Sequence, residues 1–167
     1  NLENVAPVSN SPLYAFEQAD LRDRAALDER ADIACYTTEP LKRPLHLTGP
    51  VWLDLVVDAD APSFDVSAVL SKIEPGGGVF NLTQGYRRVE EGAGTRPLGI
   101  GMRSVCVTIP AGDRLRLSLA GSCFPAYPVN PGTGAEAAET RLVDCRTITL
   151  TFHAAGTRLL LPVTRKA

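Results

Sequence analysis

The sequence predicts an all-β protein, a jelly-roll sandwich of two antiparallel sheets, on three observations. Apolar and polar residues alternate with period two from Leu45 onward, Gly and Pro interrupt that alternation at sandwich-like spacing, and no long stretch carries the 3.6-residue period of an amphipathic helix. With 167 residues, 44% of them apolar, the chain can bury one core of this kind, so a single such domain is expected.

The elements follow in order. In Val51-Trp52-Leu53-Asp54-Leu55-Val56-Val57-Asp58 the odd positions Val51, Leu53, Leu55 and Val57 share one face, while Asp54 and Asp58 lie on the other, which is a half-buried strand. Residues 64–74 and 79–89 read as a hairpin joined through Pro75-Gly76-Gly77-Gly78. Strands are expected at 104–109, at 114–120 with Leu115, Leu117 and Leu119 on one side, and at 146–153 with Ile148, Leu150 and Phe152 inward. A last strand at 159–163 closes the set. Helical signal is confined to 20–32, where eight of thirteen residues are charged, and to the Ala-Glu-Ala-Ala-Glu run within 134–140. Both are expected to be surface turns or short helices on the sandwich.

Charge and cysteine content exclude several functions. Seventeen Lys and Arg against nineteen Asp and Glu leave a net charge of −2, which offers no long-range attraction to phosphate backbones or anionic membranes. Neither nucleic acid nor membrane is therefore an expected partner. The four cysteines, Cys35, Cys106, Cys123 and Cys145, include no C-x-x-C pair of the zinc-site kind. They are expected to be unbridged, buried thiols, which favours a cytoplasmic setting. The chain opens on Asn1, and residues 1–12 are polar, proline-punctuated and aperiodic, so 1–22 reads as a linker or interdomain segment and 23–167 as the sandwich domain.

Candidate chemistry is sparse. Ser122 stands in Gly121-Ser122-Cys123-Phe124-Pro125-Ala126-Tyr127-Pro128-Val129-Asn130, but the residues two before and two after it are Ala120 and Phe124, so the G-x-S-x-G elbow of serine hydrolases is missing. The two histidines, His46 and His153, sit in strand-like alternation, and no catalytic residue is expected. Asp54, Asp58, Asp60 and Asp65 cluster in sequence, and a structural calcium near Asp58 and Asp60 is the rival to solvated strand-face and turn acids, the favoured reading. Gly76-Gly77-Gly78 precedes no helix carrying Lys and Ser or Thr, so it is a turn and not a phosphate cradle. No metal and no cofactor is expected. Trp52, Tyr86 and Tyr127 could form a sugar-stacking platform, although packing between the sheets explains Trp52 equally well.

Two stretches carry a resemblance. Asp23-Arg24 and Asp28-Glu29-Arg30-Ala31-Asp32-Ile33-Ala34-Cys35-Tyr36-Thr37-Thr38-Glu39-Pro40-Leu41, running on to Leu47-Thr48-Gly49-Pro50-Val51, resemble the start of the C-terminal domain in the X-Pro dipeptidyl-peptidase and cocaine esterase family of serine hydrolases. Ser122, Phe124, Pro125, Asn130, Thr133 and Gly134 keep the frame of that family's Ser-Asn-Phe-Pro and Asn-Thr-Gly segment. Between these stretches, Asp65, Leu70, Pro75, Gly77, Leu82, Gly85 and Arg88 fall where the family has strand and hairpin residues, and Pro110-Ala111-Gly112-Asp113-Arg114-Leu115-Arg116-Leu117 resembles its P-x-G-H-R-x-R-L run. Departures are Asp113 for His, Val69 for Lys, Gly76 for Asp, Cys123 for Asn, and a shorter 90–104.

The resemblance implies a jelly-roll, galactose-binding-like accessory domain following an α/β-hydrolase domain that holds the Ser, Asp and His of the triad. That catalytic domain of the same parent chain is the implied partner. Phe124, Tyr127 and Asn130 are the expected interdomain loop residues. In the resembling esterase an apolar–aromatic pair at the corresponding distance before Asp23 reaches the substrate pocket, which implies that role for Leu13 and Tyr14; that the pair merely covers an edge of the sandwich is the rival reading, and the slightly favoured one. A free-standing carbohydrate-binding module is the alternative.

Overall fold

The computed structural model describes residues 23–90 and 92–164, and among them the chain is a two-sheet antiparallel sandwich. One turn of helix, α1 (Ala25–Asp28), precedes β1 (Ile33–Thr37), β2 (Leu45–Ala59), β3 (Phe64–Ile73), β4 (Val79–Val89), β5 (Arg96–Ile109), β6 (Arg114–Ala120) and β7 (Leu150–Leu160). One sheet runs β1-β6-β3-β4 and the other β5-β2-β7. The expected linker 1–22, with Leu13 and Tyr14, lies outside the described residues.

Period two places the core as the sequence predicts. Val51, Leu53, Leu55 and Val57 of β2 are buried against Phe64, Val66, Ala68 and Leu70 of β3 and Leu115, Leu117 and Leu119 of β6. Glu74 and Gly78 close the hairpin between β3 and β4, the Glu74 N–H donating to Gly78 O at 2.9 Å, and Gly77 takes φ 94° in the turn, where a side chain would be strained. Along the side where β4 meets β5 the two sheets come close. A Cβ on Gly85 would lie 2.6 Å from the Gly101 carbonyl oxygen, and Thr83 Oγ1 donates to Arg103 O at 2.8 Å.

The two helical signals end as the expected short helix and surface turns: among the described residues 20–32 yields α1, and 134–140 forms turns, followed by a 3-10 turn at Leu142–Asp144. Proline and glycine at 131, 132 and 134 and the lack of a packing partner leave the alanine–glutamate run too short to nucleate a helix. Strand β5 begins at Arg96 rather than 104. The expected strands at 146–153 and 159–163 are instead one strand, β7, whose register against β2 shifts between Asp54 and Val56. Thr157 holds that bulge: its hydroxyl donates to His153 O at 2.6 Å and accepts from the Val56 N–H at 3.0 Å.

Two more expectations are corrected. Trp52 does not pack between the sheets; it lies on the outer face, 47% exposed, with its ring over Gly99 and Gly101 and its Nε1 donating to Asp54 at 2.7 Å. All four cysteines are free, but only Cys123 is buried; Cys35, Cys106 and Cys145 are exposed. Cys106 alternates with the buried Val105, so strand parity turns it outward.

Candidate functional site

The long connection between β6 and β7, residues 121–149, is the most elaborate part of the surface, and a buried polar lock holds it. Asp65, on the outer face of β3, is 1% exposed and receives Arg88 of β4 in a two-pronged ion pair, Nε to Oδ1 at 2.8 Å and Nη2 to Oδ2 at 2.9 Å. Arg88 Nη2 also donates to Pro128 O at 2.7 Å, tying the sheet to the connection. Asn130, 7% exposed, donates from Nδ2 to Asp65 Oδ1 at 3.0 Å, while its Oδ1 accepts from Ser63 Oγ at 2.8 Å and the Gly132 N–H at 2.9 Å. Ser63 Oγ in turn accepts from the Gly134 N–H at 3.1 Å. The carboxylate of Asp65 raises the pKa of Arg88.

Tyr127 stacks face to face on Tyr86 of β4, centroids 3.7 Å apart and planes 2° from parallel. The Tyr86 hydroxyl is buried without a hydrogen-bond partner, and burial together with neighbouring Asp65 raises its pKa strongly. The two tyrosines thus use each other's faces, and Trp52 stands on the other sheet, so the three aromatics form no common platform for a sugar.

A second lock fixes the segment before β1 across the same outer face. The Asp28 carboxylate is buried and accepts from Arg24 Nη2 at 3.0 Å, Arg116 Nη1 at 3.2 Å and Ser118 Oγ at 2.9 Å. Arg24 also donates to Asn81 Oδ1 at 3.2 Å. Asp23 accepts from the Val79 and Ala25 N–H groups, both at 2.9 Å, which lowers its pKa. Covered by this segment and by the connection, the outer face of β3 and β6 is buried although it carries Ser67, Ser71 and Ser118. Burial raises the pKa of Cys123, and of Cys35, whose sulfur lies 3.6 Å from Ser118 Oγ.

The connection presents large apolar side chains outward beside the exposed Arg141–Asp144 ion pair. Phe124 is 46% exposed, and Leu142 and Val143, at the 3-10 turn of the same connection, are 72% and 79% exposed. Of the three expected interdomain residues, Phe124 is therefore on the surface, Tyr127 is half-buried on Tyr86, and Asn130 is turned inward as the lock.

The residues weighed for chemistry stay apart. Ser122 lines a cleft beside β7, His46 Nδ1 is 2.8 Å from Thr108 Oγ1, and among the described residues Ser122 has no hydrogen bond to a histidine. Asp54 accepts from Trp52, Asp60 accepts from the Thr149 N–H at 2.8 Å, and Asp65 pairs with Arg88. Among the described residues no three His, Cys, Asp or Glu side chains gather to hold a metal ion. No described helix is long and apolar enough to cross a membrane.

Residues 5–158 match the family described as the X-Pro dipeptidyl-peptidase C-terminal non-catalytic domain. The cocaine esterase of Rhodococcus sp. (strain MB1 Bresler) is 26% identical over 158 residues, covering 86% of this chain and 28% of the esterase. Among solved structures, an α-amino acid ester hydrolase superposes with a TM-score of 0.84 at 20% identity over 95% of this chain and 30% of that one. An aminopeptidase from a marine sediment Thaumarchaeota archaeon superposes with a TM-score of 0.83 at 20% identity, over 95% and 31% of the two chains. The chain thus spans about three tenths of the length of these relatives.

Proposed function

Because the chain belongs to the X-Pro dipeptidyl-peptidase C-terminal non-catalytic domain family, we propose that it is the accessory domain of a serine hydrolase of dipeptidyl-peptidase, esterase or acylase type. It packs on the α/β-hydrolase catalytic domain of the same polypeptide and helps wall the substrate pocket. The observation that supports this reading is the apolar display of Phe124, Leu142 and Val143 on a connection that buried hydrogen bonds hold in place. The connection gains nothing for its own core from large side chains held in water, whereas a neighbouring domain would bury them. Leu13 and Tyr14 contribute to the pocket wall in this reading.

The test uses the full product of the gene. Leu142→Asp combined with Val143→Asp should lower kcat/KM about tenfold or more, an interface loss of roughly 1.4 kcal/mol per decade, while the melting of the sandwich is unchanged. Unaltered kinetics would remove the docking role. A serine-directed fluorophosphonate should label a serine outside these 167 residues, and labelling of Ser122 would refute the non-catalytic assignment of the proposal. Leu13→Ala with Tyr14→Ala should lower kcat/KM and leave the domain's melting temperature in place; lost stability with unchanged kinetics would show that the pair serves packing only.

A further inference from the structure

We draw no further inference here: the strongest candidate, the apolar groove of about 430 Å³ between the β1 and β7 edges, floored by Leu55, Leu70 and Leu117, carries none, because nothing in the structure shows what covers it.

Discussion

Replacing Asn130 by Ala tests whether the polar lock orders the connection that carries the proposed docking face. Asn130 makes three bonds inside the protein: from Ser63 at 2.8 Å, from the Gly132 N–H at 2.9 Å and to Asp65 at 3.0 Å. Two neutral bonds at about 1 kcal/mol each and one to a carboxylate at about 2 kcal/mol give a loss of roughly 4 kcal/mol. Against a domain stability of about 5–15 kcal/mol, this is a large fraction, and at roughly 2–4 °C per kcal/mol melting should fall by about 12 °C. Urea unfolding and calorimetry read it directly. The near-isosteric Asn130→Asp adds a diagnostic pH dependence, because it sets a second carboxyl beside Asp65. The introduced acid has a folded-state pKa raised above the unfolded value of about 3.9, so its protonated form can still donate to Asp65 at low pH. Its destabilisation relative to the parent sequence is therefore smallest below about pH 4 and grows as pH rises through the raised folded pKa. A loss under about 1 kcal/mol for Asn130→Ala, or a pH-independent penalty for Asn130→Asp, would refute the lock.

Further outcomes follow from the same contacts. Asp28→Ala leaves the buried Arg24 without its ion-pair partner, and urea unfolding should show a loss of about 3–5 kcal/mol; a loss under about 1 kcal/mol would show that water or Asn81 suffices. Gly85→Ala drives a Cβ to 2.6 Å from the Gly101 carbonyl and should cost about 1–3 kcal/mol, whereas Gly76→Ala, with nothing within 4 Å, should stay within about 0.5 kcal/mol. Equal melting of the two variants would contradict the close approach of β4 and β5. Thiol titration without reductant should count four thiols in denaturant. In the native protein at neutral pH, Cys106 and Cys145 should react first and Cys123 last, since Cys123 is buried and its pKa raised; a fast Cys123 would contradict its burial.

The parts of the fold legible in the sequence are those where burial follows strand parity. Leu53, Leu55 and Leu119 announce their inward faces because each strand has one apolar side, and Pro75 to Gly78 announce the hairpin. Strand β1 escaped because it is an edge strand with mostly exposed residues, Cys35, Tyr36 and Thr37, and so shows no alternation. The continuity of β7 escaped because Ala154-Ala155-Gly156 reads as a break, whereas the Thr157 hydroxyl carries the chain through a bulge. Asn130 was visible only as a position in a family frame, and Asp65 only there and as one of a run of acids. Their partnership joins residues 65 apart in the chain, and no local pattern encodes a hydrogen bond across that distance. The cysteines misled for a similar reason, since apolar neighbours at alternate positions place a strand residue on the opposite, outward face.

The proposed function requires this domain to dock through the β6–β7 connection. Hydroxyl-radical footprinting of the full gene product, read at Phe124, Leu142 and Val143, tests that claim most directly. If the connection is the interface, these three side chains are oxidised several-fold more slowly than their exposure of 46%, 72% and 79% in this structure would allow, with Trp52 at 47% as the internal reference for an outward-facing residue. Oxidation of all three at the rates set by that exposure would contradict the account.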